Sequence, residues 1–126
     1  MPVSFEYAVI RVVPRVEREE FLNAGVILFS LKNRFLKALV HLDEQRLAAL
    51  APGVEVAELR DHLRAFEKVS EGAPDGGPIA QLTQRERFRW LVAPRSTVIQ
   101  ISPVHAGLCD DPEQMLQQLF GRLVSL

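Results

Sequence analysis

Glu20 and Asn23, three residues apart, are the side chains in this sequence best suited to chemistry. A carboxylate at that spacing can accept hydrogen bonds or a proton, and an amide can fix a carbonyl group. They follow a run in which Glu17 and Glu19 interleave with Arg15 and Arg18, and Arg11 stands four residues before Arg15. Arginine and glutamate so placed suit an anionic or nucleotide-like ligand, held near Arg11, Arg15, Glu20 and Asn23. The same residues also have an architectural use. Asn23 and Gly25 are what a bend or β-bulge at the start of a strand needs, and Glu20 can satisfy backbone N–H groups there.

A second cluster holds Arg85, Arg87, Arg89 and Arg95 with Phe88 and Trp90. Arginines with interleaved aromatics can grip phosphates and stack bases, so Arg85, Arg89 and Arg95 are candidate nucleic-acid contacts. On a helix, however, Arg85 and Arg89 share a face while Arg87 points elsewhere. Glu86 offsets the charge, and the competing reading is a solvated helix face with Phe88 and Trp90 in the core. His105 and Cys109, followed by Asp110 and Asp111, have ligand or nucleophile chemistry. Their spacing matches no closed zinc pattern and supplies no oriented third group, so no metal site is expected. Ser30, Ser96 and Ser102 lack a glycine-rich elbow, and no phosphate loop or dinucleotide glycine pattern occurs. The sequence therefore calls for no cofactor.

The elements that must position these residues follow from periodicity. Residues 5–13 are rich in β-branched and aromatic side chains on both faces, as an inner strand is, and Pro14 stops them because it cannot donate to a ladder. Residues 15–22 are charged and fit a short helical turn. Residues 25–31 form an apolar strand, 32–34 a tight hairpin in which Asn33 takes the left-handed conformation, and 35–41 a third strand. The three make an antiparallel meander. Asp43 caps a short helix to residue 50, and Val56, Leu59, Leu63 and Phe66 mark the core stripe of a helix over 55–70. A glycine- and proline-rich loop fills 71–78. Thr83 and Glu86 have capping-box spacing before a helix to about residue 91. Residues 97–102 form a fourth strand, and Asp111 with Pro112 opens a last helix.

This pattern predicts an α+β fold: an antiparallel sheet of about four strands with three to four helices packed mainly on one face, in one domain over 1–126. Hydrophobic residues are 48% and charged residues 25% of 126, and the net charge is −1. That balance is globular and argues against nucleic acid as a partner. Arginines outnumber lysines twelve to three. One cysteine permits no internal disulfide, which fits a reducing, cytoplasmic setting. The N-terminus lacks the basic and apolar regions of a signal peptide, and no apolar run approaches the ~20 residues that span a bilayer.

The segment Tyr7-Ala-Val-Ile-Arg-Val-Val-Pro14, with Glu20, Asn23 and Gly25 before Val-Ile-Leu-Phe29, resembles the bacterial family called domain of unknown function 3037. In that family a tyrosine-bearing strand ends in proline, and an acidic residue precedes an Asn-x-Gly-Val strand start. The resemblance implies no established activity. It implies a protein encoded beside HipA-like kinases, and so a partner or regulatory role. With no catalytic constellation in view, the sequence favours a protein-interaction module that binds a kinase-like neighbour or itself as a homodimer. A ligand site at Arg11, Arg15, Glu20 and Asn23 is the alternative, and nucleic-acid binding through Arg85–Arg95 the third.

Overall fold

The computed structural model describes residues 1–95 and 97–125; Ser96 lies outside them. The first three strands, β1 (Val3–Val12), β2 (Leu22–Ser30) and β3 (Phe35–Val40), form the expected antiparallel meander. Two short strands, β4 (Ile99–Ile101) and β5 (His105–Cys109), both pair antiparallel with the free side of β1. The sequence pattern indicates only one strand here, over residues 97–102. The polar and glycine-containing run His-Ala-Gly-Leu-Cys has no apolar alternation to announce β5, which forms because β1 offers it a ladder. Across the sheet the order is β3, β2, β1, then β4 and β5 end to end.

Ser102 joins these two edge pieces. Its backbone N–H donates to the Val9 carbonyl at 2.9 Å, and its Oγ accepts the Val9 N–H at 2.8 Å. A hydroxyl thus replaces the carbonyl that an unbroken strand would offer, and Pro103 follows where the ladder is interrupted. A second irregularity sits between β1 and β2. Ile10 pairs with Gly25 and Arg11 with Asn23, so Ala24 is an extra residue on β2, a β-bulge. The bulge resets the alternation: Leu22 and Ala24 face the same core as Ile27 and Phe29. An unbulged strand would send the two sets to opposite faces.

Three helices cover that face: α1 (Glu44–Leu50), α2 (Val56–Glu71) and α3 (Gln84–Leu91). Leu47, Leu59, Leu63, Phe66, Val69, Phe88 and Leu91 pack onto Ile10, Val12, Ile27, Phe29, Leu36 and Ala38. The caps are as the sequence indicates. Asp43 accepts from the Arg46 N–H, Thr83 and Glu86 form a reciprocal capping box, and Asp111 accepts from the Glu113 N–H. The fourth helix, α4 (Pro112–Leu123), covers the other face, setting Leu116 and Leu119 against Phe5, Val26, Leu28 and Cys109. Lys37 on β3 holds Glu113 of α4 at 2.9 Å.

The structure departs from the sequence pattern at two local points. The left-handed residue of the β2–β3 hairpin is Arg34 (φ 51°), not Asn33, because the turn closes through the Arg34 N–H to the Leu31 carbonyl. Trp90 is 40% exposed rather than in the core; only Phe88 is buried. Arg87 takes the inward direction instead, with its guanidinium against Gly72, the left-handed residue that ends α2. A cation there complements the carbonyl end of the helix.

Candidate functional site

Arg11 and Asn23 are directly opposite one another on β1 and β2, and Arg11 is also opposite Gln100 on β4. Cross-strand partners project to the same side of a sheet. Asn23, Arg11 and Gln100 therefore form one polar row across three strands, on the face that α4 only partly covers. Asn23 donates from Nδ2 to the Leu123 carbonyl at 3.1 Å, tying the end of α4 to the sheet, while its Oδ1 is buried without a partner among the described residues. Arg11 lies with its guanidinium carbon 4.3 Å from the centroid of the Phe21 ring. Its Nε is buried without a hydrogen-bond partner among the described residues.

The segment from Pro14 to Phe21 roofs this end of the sheet. Val16–Arg18 forms a single 3-10 turn, which Glu19 ends in the left-handed region at φ 56°. A non-glycine residue seldom adopts that conformation, and strain of this kind gathers at ligand sites. The turn leaves a cavity of about 390 Å³ lined by Arg11, Val13, Val16, Glu19, Phe21 and Gln100.

Of the four residues singled out in sequence, the fold sets Arg11 opposite Asn23, but only Arg11 lines the cavity; Asn23, Arg15 and Glu20 lie outside its lining. Arg15 is exposed, and its carbonyl accepts the Arg18 N–H. Glu20 is exposed and pairs with Arg18 at 2.5 Å, and the Arg18 hydrogen bond holds its carboxyl below the ordinary carboxylate range. Phe21 and Gln100 are not among the sequence candidates, and Glu19 is there only as one of the three glutamates beside Arg15 and Arg18. A phenylalanine between the charged run 15–20 and the apolar strand that follows is the available signal for Phe21. Nothing local marks Gln100, whose position depends on pairing with a strand far away in the chain.

The second arginine cluster is divided by the fold. Arg95 donates to the carbonyls of Leu91, Ala93 and Trp90 at 2.9–3.0 Å, closing the C-terminus of α3. Its guanidinium stands 5.1 Å from the Phe66 ring and 4.9 Å from that of Trp90, and burial lowers its pKa. Those contacts give Arg95 a structural occupation. Arg89 is exposed on α3, and Arg85 lines a separate concavity of about 490 Å³ with Ser4, Glu6, Phe29, Leu31 and Lys32.

Burial raises the Cys109 thiol, reinforced by Asp110 and Asp111, so the thiolate that a nucleophile or metal ligand needs is disfavoured. His105 lies against Tyr7, ring centroids 5.1 Å apart. Ser30 donates to the Ser4 carbonyl, and Ser102 is committed to the strand junction. Among the described residues, no three His, Cys, Asp or Glu side chains gather as a metal site would require, and no helix is long and apolar enough to cross a membrane.

Fold and site together define an α+β protein with a five-stranded antiparallel sheet between three helices and one, and a small polar cavity at one end of its central strand. The chain belongs to the family described as Protein of unknown function (DUF3037), which matches residues 7–124. No curated protein and no solved structure matches the chain.

Proposed function

We propose that this protein is a cytoplasmic interaction module that associates with a second copy of itself through the β5 edge. The observation that carries this reading is the contrast between the two edges of the sheet. At the β3 edge, Ser70 of α2 accepts the Ala38 N–H at 3.1 Å, and α2 and α4 flank the strand. At the β5 edge no further strand pairs with the outer side of β5 among the described residues. Bare edges are usually blunted by lysine or proline, and His105–Cys109 contains neither.

The side chains of this edge are self-complementary. An antiparallel pairing centred on Gly107 sets Ala106 opposite Leu108 of the second copy, and Leu108 opposite its Ala106. Small meets large twice, as a two-fold interface requires. Leu108 is 67% exposed and Leu31 56%, and both lie beside the concavity rimmed by Glu6, Lys32 and Arg85. Pairing there would bury this apolar shelf and satisfy the free backbone groups together.

Light scattering on the purified chain is expected to give twice the chain mass, and Leu108→Asp to give a monomer with unchanged circular dichroism. A wild-type chain that remains monomeric at high concentration overturns the reading. A HipA-like kinase, the neighbour implied by the family resemblance, is the competing occupant. Its co-elution with the wild type but not with Leu108→Asp would replace the second copy with that partner.

A further inference from the structure

We propose that the cavity beside Arg11 binds a small zwitterion of amino-acid type, with its carboxylate on Arg11, its ammonium on Glu19 and its apolar side chain against Phe21, Val13 and Val16. This rests on the cavity alone and is independent of any pairing at the β5 edge, which lies beside the other half of β1.

Arg11 is the first support. It stands mid-way along a cross-strand row, half-buried, with no carboxylate in ion-pairing range among the described residues. Arginine is seldom taken from water without a bidentate partner, because the uncompensated charge is costly. The Phe21 ring fixes one face of its guanidinium and leaves the fork free to meet a planar carboxylate. The neighbouring Gln100 adds an amide on the same side of the sheet, its Nε2 donating to the Thr97 carbonyl.

The charge balance decides the ligand class. The lining carries one cation, Arg11, and one anion, Glu19. The roofing turn adds Arg15 and Arg18 against Glu17 and Glu20, so the neighbourhood holds three arginines and three glutamates. A polyphosphate or nucleic acid would meet no net attraction there. A molecule with one charge of each sign meets a partner for both. Val13, Val16 and Phe21 supply the apolar wall, and about 390 Å³ accommodates a molecule of this size. The left-handed backbone at Glu19 ends the turn there and leaves Glu19 on the lining.

The test is a titration followed by two-dimensional NMR of the full chain, with four probes: L-phenylalanine, phenylpropionate, phenethylamine and inorganic phosphate. L-phenylalanine is expected to move the amides of Arg11, Glu19, Phe21 and Gln100. Phenylpropionate and phenethylamine, each lacking one charge, are expected to bind roughly tenfold or more weakly. Arg11→Gln should remove the L-phenylalanine response. Glu19→Gln, at an exposed position that leaves the core intact, should reduce L-phenylalanine to the level of phenylpropionate. The proposal is overturned if no probe moves these amides, if phosphate moves them as strongly as L-phenylalanine, or if the Glu19→Gln protein binds L-phenylalanine as the wild type does.

Discussion

Gly25 shows how tightly single residues are constrained at the head of the sheet. A Cβ at this position would lie 2.8 Å from the Leu39 carbonyl oxygen, 2.9 Å from Ile10 Cδ1 and 3.0 Å from Val40 Cγ1. The first of these is backbone in a neighbouring strand and cannot swing aside. Gly25→Ala is therefore expected to destabilise the protein by about 1–3 kcal/mol through overpacking, read as a lower urea midpoint at constant slope. An unchanged midpoint would show that β3 can move away, contrary to its packing between α2 and α4. Its place at the start of an apolar strand suits a strand-start or bulge residue, and the bulge at Ala24 lies immediately before it. The carbonyl it makes room for was not legible, because that atom belongs to β3. Glu20 stands at the opposite extreme. Its carboxylate is committed to Arg18 on the surface, and it does not line the cavity beside Arg11.

At the scale of elements, the edge formed by β4 and β5 depends on one hydroxyl. Ser102 is 4% exposed, and its Oγ is the acceptor for a buried backbone N–H, that of Val9. Ser102→Ala would strand that donor, and a buried unsatisfied N–H costs about 1–3 kcal/mol. The expected outcome is a loss of stability in that range with faster hydrogen exchange at the Val9 amide. Exchange at Val9 as slow as in the wild type would show that another acceptor had taken over. The helices were far more legible than this edge. Asp43, Thr83 and Asp111 act as caps because capping links residues two or three apart, a distance that sequence spacing reports directly. The Val9–Ser102 bond joins residues 93 apart and leaves no local trace. For the same reason β4 was anticipated as an element and β5 was not.

At the scale of the whole molecule, the exposed carboxylates set the response to acid. The Arg18 hydrogen bond lowers Glu20, that of Lys68 lowers Asp75, and the Thr83 hydroxyl with the Thr83 N–H lowers Glu86. Each group has a lower pKa folded than unfolded. Each therefore adds stability above its unfolded pKa, and that contribution is lost as pH falls through the folded value. Glu67 acts in the opposite sense: burial and the nearby Glu71 raise its pKa, so protonation relieves a penalty. Three groups oppose one, and Tm is expected to decline as pH drops below about 4, shallowly because the three pairs face solvent. Added salt should flatten the decline. A Tm that rises on acidification would mean that Glu67 outweighs the pairs. The proposed self-pairing belongs to this scale too, since β4 and β5 together form the edge beyond which no further strand pairs among the described residues.

The sequence by itself determined the meander, the caps, the amphipathic helices and the family pattern around Tyr7–Phe29, because each is a relation between residues close in the chain. It also placed Arg11 and Asn23 in one candidate group. The tertiary structure decided what that group is. Pairing β4 with the far side of β1 brings Gln100 beside Arg11, and the turn at Glu19 adds a carboxylate and the Phe21 ring. Glu20, the residue whose chemistry stood out first, is turned away to Arg18. Register and edge assignment are long-range properties, set by which strands compete for the same backbone ladder, and no local spacing encodes them.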